Sequence, residues 1–426
     1  MRYARPLAAT LLSLVALGGC VTTGGQGRGQ SADPASAMSS GPTSAPLAAA
    51  AAPMPIELTR TAYDTAKLKS GQPPARASLE GSLWMISGNA ETSIKSGAGI
   101  VTDPALNAYV SGLVCKLAGP YCGEIRTHIV RVPDFNASMY PNGAMVVWTG
   151  LLLRARNEAQ LVAVLSHEIG HYLQRHTVQR MEDTYAKSNA LIFVQMATIV
   201  AGVPVAGDLM HLATLASIAS FSRENETEAD DISVRLMVQH GYDPREASRL
   251  WTQVMEEIAA DKDRQRRSIF TASHPPTENR VDRLSRQAAY ALPNMGEPDL
   301  GRDRYRAAIM PHLASFLRDE FRIRNMDRLE VVLNQLAREE FNLGEVKFFQ
   351  GELHRVRNVA NDSVKALQFY DEAIKAPDHP PDVYRALGQA YLRAGQKDDA
   401  ARAFREYLLR APDAPDRKLI EILVGS

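Results

Sequence analysis

No excess of either charge sign marks this sequence: Lys and Arg total 48, and Asp and Glu total 48, over 426 residues. A global cationic field that would gather nucleic acid or anionic lipid is absent, so nucleic acid is not an expected partner. An uninterrupted apolar run of membrane length is missing as well. The most apolar stretch, residues 190–219, is broken by Gly202, Pro204, Gly207, Asp208 and His211, which reads as two buried or partly exposed helices. A face that dips into a membrane or binds a partner is the alternative for that stretch. What is present is an ordinary globular balance, 45% hydrophobic and 23% charged, which argues against a largely disordered or multi-span chain. At roughly 100–200 residues per domain, the length holds two or three domains.

Arg2 and Arg5 precede the apolar run Leu7 to Leu17. These are the charged and apolar parts of a secretory signal, and the run is too short to span a bilayer as a mature helix. It closes in Leu17-Gly18-Gly19-Cys20, which resembles the bacterial lipobox. That resemblance implies a removable signal at 1–19, acylation of Cys20, and a lipoprotein of a Gram-negative envelope; Val21 after the cysteine fits anchoring to the outer membrane, facing the periplasm. Residues 21–55 are dominated by Ala, Gly, Ser, Pro and Thr and contain no Phe, Tyr, Trp or Ile. They cannot bury enough apolar surface to offset ordering entropy, so 20–55 reads as a tether. Of three cysteines, Cys115 and Cys122 then remain, either a disulfide in an oxidising compartment or two buried thiols. Their spacing matches no usual zinc-ligand pair.

From Asp103-Pro104, a helix start signal, Leu106, Tyr109, Val110, Leu113, Val114 and Leu117 follow helical spacing. Arg126 to Val132 and Ala144 to Thr149 read as strands, with Pro141-Asn142-Gly143 as the turn of a small hairpin. Asn157 to about Arg180 reads as one long helix, and helical patterning continues to residue 290, giving an α+β domain with a helix-dominated core. Near the C-terminus Tyr384, Leu387, Gly388, Tyr391, Ala400, Phe404 and Pro412 fall on the 34-residue tetratricopeptide pattern. Shifting back by one period finds Leu353, Ala366 and Tyr370, but His354 and Arg357 replace the expected Gly and Tyr, so that repeat is degenerate. The helix around Arg417 to Leu423 would cap an all-α solenoid, which serves either as a groove for partners or as a brace.

The chemistry centres on His167-Glu168-Ile169-Gly170-His171. At 3.6 residues per turn, positions i and i+4 lie on one helix face, so both imidazoles can hold a single Zn²⁺, with Glu168 beside them to polarise metal-bound water; two ordinary surface or core histidines are the alternative. A catalytic zinc takes three protein ligands and keeps one position open. The acidic cluster Glu224, Glu226, Glu228, Asp230 and Asp231 offers the third. Glu226 and Asp230 share a face, so one can ligate while the other orients a ligating side chain; a solvated acidic helix terminus is the alternative. His176, nine residues from His167, reads as structural.

These segments, together with Asp134-Phe135-Asn136-Ala137, Thr149-Gly150-Leu151-Leu152, Asn157-Glu158-Ala159-Gln160-Leu161, Arg175-His176 and Ser222-Arg223-Glu224-Asn225-Glu226, resemble the zinc endopeptidases of the CAAX prenyl protease and HtpX type. Coverage runs from about residue 80 to 290. With the repeat tail, the whole is similar to the BepA-like periplasmic proteases. The resemblance implies a gluzincin-type metallopeptidase domain at 56–295 followed by tetratricopeptide repeats at 300–426. It implies one Zn²⁺ held by His167, His171 and Glu226, with Glu168 as general base and Asp230 behind the ligands. Ser273-His274-Pro275-Pro276 and Arg280 also resemble a family element. Either His274 and Arg280 donate hydrogen bonds to the developing oxyanion, or His274 fills the fourth metal position and holds the enzyme off; a turn with a surface arginine is the plain alternative.

The function so implied is an endopeptidase that cleaves misfolded or misassembled envelope proteins, with repeats recruiting substrate or the outer-membrane assembly machinery. The rival is a chaperone-like adaptor with a self-inhibited site. If the strand 144–149 is a free edge, it would hold extended substrate by strand addition.

Overall fold

The structure, a computed structural model, describes residues 60–187, 221–262 and 269–425. Cys20, the signal, the tether and the apolar stretch 190–219 therefore lie outside the described residues. No helix among the described residues is long and apolar enough to cross a membrane.

Helix α1 (Leu79–Ser96) is followed by α2 (Pro104–Ala118). Asp103 sets the start of α2: its Oδ1 accepts from Leu106 N at 2.8 Å, and Pro104 occupies the first turn, where its missing N–H costs nothing. Cys115, near the end of α2, is joined to Cys122 by a disulfide.

Strands β1 (Arg126–Val130), β2 (Ala137–Met139) and β3 (Ala144–Trp148) form one sheet in the order β1-β3-β2. The expected hairpin between 126–132 and 144–149 does not form. β1 and β3 run parallel, with Arg126 opposite Ala144 and Val130 opposite Trp148. The turn at Pro141-Asn142-Gly143 instead joins β3 to β2, antiparallel, with Ala137 opposite Val147. Gly143 adopts φ 85°, which a side chain would strain, and Asn142 Oδ1 accepts from Ala144 N at 3.1 Å. Three residues are too few to show a period of two, so β2 leaves no trace in the sequence pattern. All five residues of β3 are buried because it is the central strand, not a free edge. Val130 of β1 pairs with Ile100, which leaves β2 as the open edge among the described residues.

Helix α3 (Thr149–Arg154) leads into α4 (Glu158–Leu173), which is buried along its whole length. Asn157 caps α4, its Oδ1 accepting from Gln160 N at 2.9 Å. The single helix expected to reach about residue 180 is divided. Arg175 turns the chain at φ 55°, and α5 (His176–Lys187) sets off from there. Neither Gly nor Pro marks this break; Arg175 is held by an ion pair to Glu80 of α1.

Helix α6 (Arg223–Gln239) begins with a reciprocal cap between Ser222 and Asn225 and packs closely on α4. A side chain at Gly170 would meet Ala229 Cα at 3.1 Å, so only a small residue admits this approach. Helices α7 (Arg245–Ala260), α8 (Ile269–Ser273) and α9 (Glu278–Ala291) complete the layer around α4.

The remaining chain is helical: α10 (Arg302–Ile323), α11 (Met326–Arg338), α12 (Leu343–Arg357), α13 (Asp362–Ala373), α14 (Asp382–Arg393), α15 (Lys397–Arg410) and α16 (Arg417–Gly425). The described residues are thus helix-dominated with one small sheet. Tyr305, Ile309 and Leu313 of α10 and Leu329 and Val332 of α11 share one hydrophobic core with α4. Arg154, almost wholly buried, ties the two regions by pairing with Glu257 at 2.7 Å and Glu320 at 3.1 Å. In the tail, Gly388 lies against the Phe404 ring and Gly351 against the Tyr370 ring. The same ring-on-glycine packing recurs one turn earlier in the degenerate pair. The substituted His354 and Arg357 both bond Asp362 at the start of α13, at 2.7 and 2.9 Å.

Candidate metal centre

Helix α4 presents His167 and His171 on one face, their Nε2 atoms 3.0 Å apart. From α6, Glu226 Oε1 lies 3.3 Å from His171 Nε2, and Oε2 lies 3.6 Å from His167 Nε2. Beyond α8, His274 Nδ1 approaches Glu226 Oε1 at 2.8 Å and His167 Nε2 at 3.2 Å. One donor atom from each of these four buried residues lies within 4.8 Å of all the others.

Partners behind the ligands fix which nitrogen faces the centre. His167 Nδ1 meets Asp230 Oδ1 at 2.9 Å, so it carries the proton and leaves Nε2 as a lone pair. His176 Nε2 meets Glu228 Oε2 at 3.1 Å, and its Nδ1 meets His171 Nδ1 at 2.9 Å. If His176 donates to Glu228, it accepts from His171, and again Nε2 of His171 is left as a lone pair. Two lone pairs and a carboxylate thus converge in a dry space. A cation relieves that repulsion, and imidazole plus carboxylate is a donor set that suits Zn²⁺. Glu168 Oε1 is buried without a hydrogen-bond partner, which fits a group arranged for a visitor.

Electrostatics divide the donors: at His274 burial is outweighed by the Glu226 and Glu168 carboxylates, which raise its pKa, whereas the two histidines of α4 shift the other way. Burial lowers the basicity of both His167 and His171, keeping them neutral. Burial also pushes the Glu226 carboxyl upward, but His274, His171 and His167 outweigh it and hold the group well below the usual carboxylate range. For Asp230, burial is likewise overcome, by Arg280 and His167. Burial pushes Glu168 up to about 7, and its Oε1 lies 3.6 Å from His274 Nε2.

Arg280 of α9 gives its fork to Asp230, Nε to Oδ2 at 2.9 Å and Nη2 to Oδ1 at 2.6 Å, and its Nη1 stands 3.1 Å from Glu226 Oε2. Its guanidinium lies 3.9 Å over the Trp251 ring. Three participants are not evident from spacing. His176 reaches His171 only because the helix breaks at Arg175, Glu228 supports His176, and the Phe221 ring stacks on His171 at 4.0 Å. The sequence signal for the first two is the Arg175-His176 pair and the acidic cluster; Phe221 has none. A narrow cleft of about 90 Å³ runs past the centre, bounded by Ala137, Ser138 and Met139 of β2 on one side and by Glu168, His171 and His274 on the other.

Residues 101–288 match the model of Peptidase family M48. Among curated relatives, the mitochondrial metalloendopeptidase OMA1 of Schizosaccharomyces pombe is 33% identical over 158 residues, 37% of this chain and 44% of that protein. The beta-barrel assembly-enhancing protease of Escherichia coli K12 is 28% identical over 203 residues, 44% of this chain and 40% of the relative. The mitochondrial OMA1 metalloendopeptidase of Bos taurus is 30% identical over 198 residues, 44% of this chain and 38% of that protein. The chain spans less than half the length of these relatives.

Proposed function

Because residues 101–288 belong to peptidase family M48, we propose that this chain is a zinc-dependent endopeptidase of the bacterial envelope that cleaves misfolded or misassembled outer-membrane and periplasmic proteins. The observation that carries the reading is the convergence of His167, His171, Glu226 and His274 with Glu168 at their side. His167, His171 and Glu226 are the residues that would hold the ion, backed by Asp230 and by the pair His176 and Glu228. The ion, when bound, supplies a Lewis acid that polarises the scissile carbonyl and acidifies water.

The chain's own residues do the rest. Glu168, buried beside the donors, takes a proton from the attacking water and returns it to the leaving amine. The open edge of β2 aligns an extended substrate backbone alongside the cleft by strand addition. This role passes to β2 from the strand 144–149, which is central. Such a geometry selects unfolded segments, the state of a misassembled protein.

Lipid anchoring through Cys20 and recruitment of substrate or assembly machinery by a tetratricopeptide-type tail complete the proposal. The similarity to a beta-barrel assembly-enhancing protease supports this setting. A second reading, an adaptor whose site is mostly self-inhibited, is favoured by one observation: His274 already stands among the ligands.

The test is metal analysis of the purified protein together with casein cleavage by the wild type and Glu168→Gln. Retained zinc with cleavage lost supports the enzyme, and unchanged cleavage sinks it. Labelling with radioactive palmitate, present in the wild type and lost in Cys20→Ala, tests the anchor.

A further inference from the structure

Away from the metal centre, α7, α9 and α11 enclose a cleft of about 610 Å³. None of its lining residues borders the metal cleft. Arg156 is part of its wall and is 3% exposed. The neighbouring Arg154 holds two carboxylates, whereas Arg156 forms no ion pair among the described residues. Its Nη1 donates to Leu153 O at 3.0 Å and its Nη2 to Gln335 Oε1 at 2.9 Å. Nε has no partner. A guanidinium carries five N–H donors, so two hydrogen bonds leave most of its capacity unused. Burial without a touching carboxylate lowers its pKa to about 10. A buried cation without a touching carboxylate is costly.

Three further arginines line the same cleft. Arg245 and Arg249 are held by Asp243 and Glu246, and Arg338, 70% exposed, stands 3.7 Å from Glu256. We propose that this cleft binds the carboxylate of an acidic peptide segment, with Arg156 as the buried receptor and Arg338 as the rim contact.

A carboxylate matches the guanidinium fork in shape and charge. The volume exceeds what a lone anion fills. Ser285 offers a hydroxyl to a peptide backbone, and Val281 and Leu292 offer apolar contact. The site joins the M48 segment to α11 of the C-terminal region, so occupancy would bridge the two. The inference is independent of the catalytic reading.

Calorimetric titration of the full chain with acetyl-tetraglutamate amide, acetyl-tetraglutamine amide and inorganic phosphate tests it. The glutamate peptide is expected to bind at least about ten-fold more tightly than either control, and to weaken as salt screens the pair. Arg156→Met should abolish that preference. Arg338→Gln, on an exposed rim, should weaken glutamate-peptide binding about three-fold or more while the melting temperature stays at the wild-type level. Equal binding of both peptides, or glutamate binding unchanged in Arg338→Gln, overturns the proposal. Phosphate binding as tight as the glutamate peptide overturns the peptide assignment. If Arg156→Met fails to fold, Arg338→Gln alone decides.

Discussion

Arg280 grips Asp230 with two hydrogen bonds of 2.9 and 2.6 Å while the same carboxylate faces His167 Nδ1 at 2.9 Å. A helix that contributes no ligand thereby sets the ring angle of one. Lys at position 280 keeps the charge and loses the fork. Arg280→Lys is expected to lower zinc affinity about ten- to hundred-fold with the fold intact. Competition with a chelator of known affinity measures this, and an unchanged affinity would show that Asp230 holds its pose alone.

On the other imidazole the chain of contacts is His171, His176 and Glu228. His176→Ala should weaken zinc binding about ten-fold or more, because His171 loses the acceptor that fixes its tautomer. Glu228→Gln should have a smaller effect, its carboxylate being partly exposed. The double variant should fall short of the sum of the single effects, as expected for groups acting in series. Full additivity would place Glu228 outside the relay.

The shared face of His167 and His171 was legible because HExxH encodes a helical face within five residues. Glu226 and Asp230 could be singled out from five carboxylates because four residues also make one turn. The sheet was not legible in the same way. Parallel pairing of Arg126–Val130 with Ala144–Trp148 depends on contacts distant in sequence, and the intervening Ala137–Met139 is too short to show a period. The break at Arg175 is equally silent, since a positive φ at arginine is fixed by tertiary contacts rather than by propensity. That silence concealed the approach of His176 to His171. In the helical tail Gly388 packs on Phe404, whereas Gly351, which packs on Tyr370, lies one turn out of step with a 34-residue spacing.

His274 stands with its Nδ1 2.8 Å from Glu226 and 3.2 Å from His167. As a fourth donor beside His167, His171 and Glu226, His274 would occupy the position that a catalytic zinc keeps for water. His274→Ala is therefore expected to retain zinc through His167, His171 and Glu226 and to cleave casein several-fold faster than the wild type. Loss of cleavage with zinc retained would instead assign His274 to the oxyanion.

Metal removal should destabilise the fold, because the donors come from α4 and α6 and beyond α8, and an ion that binds only the native arrangement stabilises it. At a thousand-fold excess over Kd the contribution is about 4 kcal/mol. The melting temperature should fall on treatment with EDTA in the wild type and in Glu168→Gln. It should not respond in a His167→Ala, His171→Ala double variant. A wild type indifferent to EDTA would mean that no metal is bound at these residues.

Glu345 gives a pH signature remote from the metal. It is buried on α12 with Oε1 unpartnered, and burial pushes its carboxyl up to about 7, with Asp382 and Asp378 adding to the rise and Arg318 opposing it. In the unfolded chain the group titrates near 4.5. Between these values the folded state keeps a proton that the unfolded state has released, so stability falls as pH rises through that window. The contribution is fully present below about 4.5 and lost above about 7. Glu345→Gln cannot ionise, and it should match the wild type near pH 4.5 and exceed it at pH 8 by about 3 kcal/mol. Melting curves of the two proteins across that range measure the gap. Curves that stay parallel would show that Glu345 ionises without penalty, and hence that water or a charge partner reaches it.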